Sequence, residues 1–201
     1  MRWPLGLLAL AALSLVFLGG AWGNLGLLAY HGVCATSLFR HRRSLRPLFA
    51  WRDGLGAWTL GTTLAFLAGL GLLLLLWDPA RARGVLSFPS ARAFALTAAY
   101  TMLLHASLEE IFWRGAFTDV ENARPAAALL GNALTFYLVH VIALTNAVGG
   151  WGWVAALPTA AAGLAWGWVT LRTRSLWPAL VSHWAADAAI LAAMAYYYLP
   201  S

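Results

Sequence analysis

The sequence contains no lysine, only one cysteine, and few charged residues of either sign. Charged residues make up 10% of its 201 positions, whereas 62% are hydrophobic, and the mean hydropathy is +0.72. A soluble core of this size needs far less apolar surface, so the composition argues against a soluble globular protein. It indicates an integral membrane protein whose solvent is the lipid bilayer.

The single cysteine excludes disulfide and thiolate metal sites, and the positions of the basic residues argue against a nucleic-acid partner. Cys34 has no second cysteine with which to form a disulfide or a thiolate metal cage, and it lies in an apolar run as a small core residue would. The 13 basic residues are all arginines and give a net charge of +6. They lie mostly in short segments between apolar runs, where they orient helices and meet anionic headgroups, so we expect no nucleic-acid partner.

Long apolar stretches predict the membrane spans. We expect helices over 56–77, 90–121, 126–147, 151–171 and 176–199, with breaks at 78–79 and 149–150. Residues 3–39 fit either one tilted helix or a tight pair broken near Gly19-Gly20 or Gly23-Asn24. The fold class is therefore predicted to be all-α, a polytopic membrane bundle of six or seven transmembrane helices.

Arginine distribution predicts the orientation of the bundle. Five arginines between residues 40 and 52 form the densest basic segment, which is expected to be cytoplasmic. Alternation of the spans then places nine arginines inside, Arg114 among them, and three outside, namely Arg81, Arg83 and Arg92. The side of Arg2 depends on whether residues 3–39 cross once or twice.

One span carries two adjacent carboxylates, in the segment Ser-Leu-Glu-Glu-Ile-Phe-Trp-Arg-Gly at 107–115. A charge at bilayer depth costs several kcal/mol unless it is paired or hydrated, so such residues are functional candidates. Glu110 and Arg114 are one helical turn apart and can pair. Glu109 points about 100° away from Glu110 and needs a different partner.

Two later spans place further ionisable residues at a similar depth. They are His140, and the pair His183 and Asp187, which share a helix face; a rise of about 1.5 Å per residue puts them within about two turns of Glu109. A carboxylate and an imidazole can activate water as a general base, and a second imidazole can stabilise an oxyanion.

Zinc is an alternative, with Glu109, His140 and His183 as its ligands, although the compact His-Glu-x-x-His spacing is absent. Of the other histidines, His105 lies one turn before Glu109 and could line the pocket. His31 and His41 are interpreted as an ordinary helix histidine and a loop histidine.

These three segments, in this order, resemble the motifs of the CPBP intramembrane proteases, also called the Abi or CAAX-protease family. The matching residues are Glu-Glu-x-x-x-Arg at 109–114, Phe-x-x-x-His at 136–140 and His-x-x-x-Asp at 183–187. The resemblance covers about residues 90–201. It implies a catalytic membrane core there, preceded in residues 1–89 by further membrane helices and a basic loop, all in one integrated domain.

The resemblance also implies roles for the candidate residues. Glu109 and His140 would activate the hydrolytic water, His183 would face the oxyanion, and Glu110 with Arg114 would be supporting. Most family members have Asn where this chain has Asp187. An ionised Asp cannot donate a hydrogen bond, so Asp187 must be protonated or must orient a neighbouring group. The family resemblance favours a glutamic mechanism without a cofactor over a zinc mechanism.

The resemblance predicts an endopeptidase that cuts a membrane-anchored protein or peptide near its C-terminus. Candidate substrates are a prenylated tail, a bacterial C-terminal sorting signal of the myxosortase kind, or a bacteriocin-related peptide. Arginine without lysine, with abundant Ala, Gly and Leu, indicates a GC-rich bacterium, so the inner membrane is the expected location and sorting the favoured role.

Two other classes of function fit part of the sequence. Glu and His chains also serve as proton relays in transporters, but those proteins usually show inverted repeats and broken helices, which are not evident here. A bacteriocin-immunity protein could keep the same bundle without catalysis, although the intact motifs argue against that.

Overall fold

The computed structural model describes residues 2–14, 20–75, 90–120, 122–148 and 152–198. Within these ranges all regular secondary structure is helical, which confirms the predicted all-α class. The helices are α1 (Trp3–Ser14), α2 (Gly20–Leu45), α3 (Leu55–Leu75), α4 (residues 91–117), α5 (Pro125–Val148), α6 (Gly152–Ala155), α7 (Leu157–Thr173) and α8 (Trp177–Tyr198), with a 3₁₀ turn at Arg46–Phe49 after α2.

Two helical stretches in the described part of the chain are long and apolar enough to cross a bilayer, Pro125–Thr145 and Gly152–Thr173. Trp3–Ser14 and Leu55–Gly71 are apolar but shorter. Six or seven crossings thus stay a prediction. Gly23 and Asn24 lie within α2 and do not interrupt it. The breaks expected at Gly19, 78–79 and 149–150, like Arg81 and Arg83, lie outside the described residues.

The distribution of polar and apolar side chains is the reverse of that in a soluble protein. Glu110 and Arg114 are 0% exposed and Glu109 1%, whereas Leu28 and Leu103 are 68% and 70% exposed. Water-facing surfaces rarely carry so many bare leucines, and cores rarely bury whole charges unless they are paired. This pattern suits a bundle surrounded by lipid.

The start of α1 and the end of α2 lie at the same end of the bundle. A Cβ on Gly6 of α1 would lie 2.7 Å from the Phe117 ring, and a Cβ on Gly115 would lie 2.5 Å from Leu45 at the end of α2. The start of α1 and the end of α2 therefore both pack on the end of α4. In its described residues α1 extends about 18 Å, which is shorter than the hydrocarbon core of about 30 Å.

The connections predicted to share one side do gather at one end. Arg2 lies 3.3 Å from Asp119, and the Arg174 guanidinium donates to the Val120 carbonyl. The amide of Leu176 also donates to the Leu48 carbonyl at 2.9 Å. Arg114 is the exception among the arginines assigned to this side: it lies wholly inside the bundle, because its partner Glu110 is there.

Helix α4 carries the acidic motif and is built in four parts. Ser90 caps its first turn by accepting a hydrogen bond from the Ala93 amide. Ala91–Ala99 and Ala106–Glu110 are α-helical, whereas Tyr100–His105 and Ile111–Phe117 are π-helical. Both glutamates thus lie on an α-helical turn between two π-helical segments, and π-turns are frequent at functional sites.

The second π-helical segment frees a carbonyl that binds the next helix. The Trp113 oxygen accepts from Asn132 Nδ2 of α5 and from Thr118 Oγ1, both at 2.6 Å. The helix was expected to continue to residue 121 but ends at Phe117, and Asp119 adopts a positive φ of 52° in the turn that follows. The bond from Asn132 therefore fixes α5 against the acidic helix.

Candidate active site

Glu109 is held by one neutral donor from a helix far away in sequence. Its Oε1 accepts a hydrogen bond of 2.5 Å from the Tyr30 hydroxyl of α2, which in turn accepts one of 3.0 Å from Trp113 Nε1. Its Oε2 is buried and has no hydrogen-bond partner among the described residues. One oxygen of this carboxylate is thus fixed and the other is available.

Glu110 points to the other side of α4 and is paired with charged or chargeable groups through Oε1, while its Oε2 is buried without a hydrogen-bond partner among the described residues. Its Oε1 lies 3.0 Å from Arg114 Nη1, the one-turn pair that the spacing predicts, and 2.8 Å from His183 Nδ1 of α8. The Arg114 guanidinium also lies 4.0 Å from the Phe136 ring centre and 5.1 Å from that of Trp166. Cation–π contact of this kind compensates a buried cation where water is absent.

His183 is fixed on three sides. The Trp166 ring stacks on it with centroids 4.6 Å apart and a 22° tilt, while Nδ1 meets Glu110. Nε2 lies 3.7 Å from Asp187 Oδ1, and Asp187 Oδ2 is buried without a partner in the described part of the chain. Since Nδ1 is committed to Glu110, only Nε2 can serve an incoming group.

Helices α5 and α7 approach closely enough to bring Trp166 onto His183. A Cβ at Gly163 of α7 would lie 2.7 Å from the Ala133 Cα of α5, so only glycine permits this distance. The Phe136 ring contacts Trp166 edge-on at 6.2 Å as a result.

His140 joins the cluster electrostatically rather than by a direct hydrogen bond. Its Nδ1 donates to the Phe136 carbonyl at 2.8 Å, so the neutral ring presents a lone pair at Nε2. It lies within electrostatic range of Glu109 and His183. The structure therefore brings Glu109, His140, His183 and Asp187 together, with His140 bound to neither carboxylate.

Three further side chains extend from the site: Tyr30, His105, which its one-turn spacing from Glu109 allowed to line the pocket, and His31. Tyr30 donates to Glu109, and His31, interpreted from the sequence as an ordinary helix histidine, lies against His105. His105 Nε2 lies 3.7 Å from Glu109 Oε2, and His105 Nδ1 lies 2.9 Å from His31 Nε2. The sequence signal for these contacts was the adjacent pair Tyr30-His31. It lies in the run 3–39, which contains no Asp, Glu, Lys or Arg, and polar side chains are rare in such an apolar run.

The zinc alternative, with Glu109, His140 and His183 as ligands, stays a prediction. Among the described residues, no group of three or more His, Cys, Asp or Glu side chains is arranged to hold a metal ion.

Comparison with known families addresses the resemblance directly. Residues 91–189 match the family described as Type II CAAX prenyl endopeptidase Rce1-like. The match runs from the start of α4 into α8 and contains Glu109, His140 and His183 in order. Residues 91–189 therefore belong to the Rce1-like family.

The Rce1-like match confirms the resemblance drawn from the three motifs and supports an intramembrane endopeptidase in general terms. It ends before Tyr196 and begins after α3, so Tyr30 and His31 lie outside the Rce1-like region, although Tyr30 contacts Glu109 and His31 contacts His105 within it. No curated protein and no solved structure matches the chain.

Proposed function

We propose that this Rce1-like protein hydrolyses a peptide bond near the C-terminus of a membrane-anchored protein, using water activated by Glu109 and His140. One observation carries the proposal. Glu109 is a buried carboxylate with no full cation against it, one oxygen fixed by Tyr30 and the other free. Carboxylates buried only for structural reasons are normally paired, and those that are not mark functional sites.

The attacking water would lie between Glu109 Oε2 and His140 Nε2. Both are acceptors without a partner in this arrangement, so each can take one hydrogen of the same water. Glu109 removes a proton while the water oxygen forms a bond to the substrate carbonyl carbon. The same carboxyl group then gives the proton to the amide nitrogen as the carbon–nitrogen bond breaks.

His183 would stabilise the oxyanion formed in that step. Its Nδ1 hydrogen is committed to Glu110, so Nε2 can donate only when the ring carries both protons. Glu110 and Asp187 flank the ring and balance such a charge. This assigns Glu110 and Arg114 the supporting role of fixing His183, and Asp187 that of orienting it.

The proposed substrate is a protein whose C-terminal region is anchored in the bilayer, because the site is buried in a bundle with a leucine-rich exterior. A bacterial sorting signal processed in the inner membrane is favoured over a prenylated tail. We propose a glutamic mechanism rather than a zinc mechanism, since one oxygen of Glu109 is held by a tyrosine hydroxyl.

Cleavage of C-terminally anchored candidate substrates in reconstituted membranes tests the proposal. The parent protein is compared with Glu109→Gln, His140→Ala and the matched control His41→Gln, each with chelator and then with added zinc. We expect cleavage by the parent and the control, loss of cleavage in the other two variants, and no effect of chelator.

Loss of cleavage with chelator that added zinc restores would establish a metalloprotease instead. Undiminished cleavage in Glu109→Gln would refute the site, and absence of cleavage by every form would favour a transporter or immunity role.

A further inference from the structure

A second group of polar side chains extends from Glu109 to the edge of the bundle. It runs from Glu109 Oε2 to His105 Nε2 at 3.7 Å, and from His105 Nδ1 to His31 Nε2 at 2.9 Å. His31 Nδ1 then meets the Leu27 carbonyl at 2.8 Å. Glu109 is buried, whereas both histidines are half-buried, so the chain leads outward.

The positions of the hydrogens follow from the acceptor at its outer end. A carbonyl oxygen only accepts, so His31 Nδ1 carries a hydrogen. In the neutral ring Nε2 is then bare and accepts from His105 Nδ1. His105 Nε2 is consequently bare as well and faces the ionised Glu109. Two acceptors cannot bond, and their separation of 3.7 Å is longer than a hydrogen bond.

The row of side chains formed by Glu109, His105 and His31 can bind one additional proton. A proton on Glu109 Oε2 can pass to His105 Nε2 while the Nδ1 hydrogen of His105 passes to His31 Nε2. One O–H and one N–H bond break, two N–H bonds form, and His31 becomes an imidazolium still bound to Leu27. The Tyr100 hydroxyl, 3.1 Å from both His31 nitrogens, can donate to or accept from Nε2 and leaves this count unchanged.

We propose that His105 and His31 are positioning residues that store the proton taken from the hydrolytic water. The proposal rests on the proposed function and extends it by two residues, one of them outside the Rce1-like region. A carboxyl that keeps the proton can return it to the nascent hydroxide. Moving it two residues away prevents that return until Glu109 delivers it to the leaving nitrogen.

Other titratable groups face this chain from each helix packed against it. They are Tyr30 and Cys34 from α2, Tyr100 from α4, His140 from α5, and His183 and Asp187 from α8. None of them interrupts the two contacts that join Glu109, His105 and His31.

The first test needs no cleavage. The chain has five histidines, so nitrogen-15 NMR of histidine-labelled protein resolves each ring, with His→Gln variants for assignment. We expect His31 and His105 both to carry their hydrogen on Nδ1, and Glu109→Gln to shift the His105 Nε2 resonance but no His41 resonance. A resting His31 protonated only on Nε2, or an unchanged His105 in Glu109→Gln, would overturn the proposal even if the protein is a protease.

The second test separates storage from support. We expect His105→Gln to lower kcat about 10- to 100-fold, part of what general acid–base catalysis supplies, with KM within about twofold. His31→Phe should behave similarly. His31→Gln is decisive, because its amide oxygen accepts from His105 but holds no proton. The kcat of His31→Gln should therefore be as low as that of His31→Phe. A kcat equal to that of the parent would mean that His31 only positions His105.

His41→Gln, in the basic segment, is the control and should match the parent in cleavage and in the resonances of the remaining histidines. If Glu109→Gln abolishes cleavage while His105→Gln leaves kcat unchanged, the proposed function stands and the storage chain is refuted. If the parent cleaves nothing, the proposed function fails and the NMR outcome alone decides whether the chain exists.

Discussion

Glu109 and Glu110 are neighbours on one turn of α4, and the bundle compensates them in different ways. Glu110 meets a guanidinium at 3.0 Å and an imidazole at 2.8 Å, and that guanidinium lies over the Phe136 ring. Glu109 meets a tyrosine hydroxyl and, at 3.7 Å, the Nε2 of His105. A paired carboxylate holds other groups in place, whereas one that lacks a cation is free to take a proton.

The largest effect should come from the reactive side of this comparison. Glu109→Gln keeps the hydrogen bond from Tyr30 but removes the base, so cleavage should fall about 10²- to 10⁴-fold. The free energy of unfolding should change by only about 1 kcal/mol, as for one neutral hydrogen bond. Rates measured in proteoliposomes, with unfolding followed in mixed micelles, check both; retained cleavage would contradict the assignment.

The supporting side should show the reverse balance. Glu110→Gln leaves Arg114 buried without its counter-ion and should lower the free energy of unfolding by about 3–5 kcal/mol. The double variant Glu110→Gln/Arg114→Met removes both charges and should recover most of that loss, although cleavage should stay low because His183 loses its anchor. A double variant as unstable as the single one would show that the pair is not the cause.

Loss of the Tyr30 hydroxyl should displace the Glu109 carboxylate, which itself stays present. Tyr30→Phe deletes a hydrogen bond to a charged group, worth about 1.5–3 kcal/mol, and should lower kcat about tenfold through a misplaced base. Tyr137→Phe is the matched control, since that hydroxyl donates to the Trp153 carbonyl away from the carboxylates. Equal effects of the two variants would contradict a specific role for Tyr30.

The smallest effect is expected at Asp187. Asp187→Asn retains an oxygen 3.7 Å from His183 Nε2 and adds a donor, so kcat should change by less than about fivefold, or about 1 kcal/mol. The same assay measures it. A loss of several hundredfold would mean that the carboxylate itself is required at the oxyanion.

The sequence predicts those parts of the structure that depend on local periodicity. Helix bounds near 55–75, 125–148 and 177–198 follow from apolar runs, and the pairs Glu110–Arg114 and His183–Asp187 follow from one-turn spacing. Each of these features depends on residues within four positions of one another, so it can be predicted from one sequence.

The partner of Glu109 could not be predicted because it comes from another helix. Tyr30 is 79 positions away, and nothing in the period of either helix fixes which faces meet. The π-helical segments of α4 add to the difficulty, since they rotate the faces that a 3.6-residue period would assign. The contact between His31 and His105 could not be predicted for the same reason.

The contact between Arg2 and the end of α4 has a consequence for biosynthesis. The Arg2 side chain and amide both donate to carbonyls of Ala116 and Phe117, across 114 positions of the chain. At a synthesis rate of about 5–20 residues per second, the ribosome needs roughly 6 to 23 s to deliver that binding site. During that interval the α1–α2 hairpin is in the translocon or membrane without its final neighbour, so a chaperone or the insertion machinery has a defined period in which to hold it.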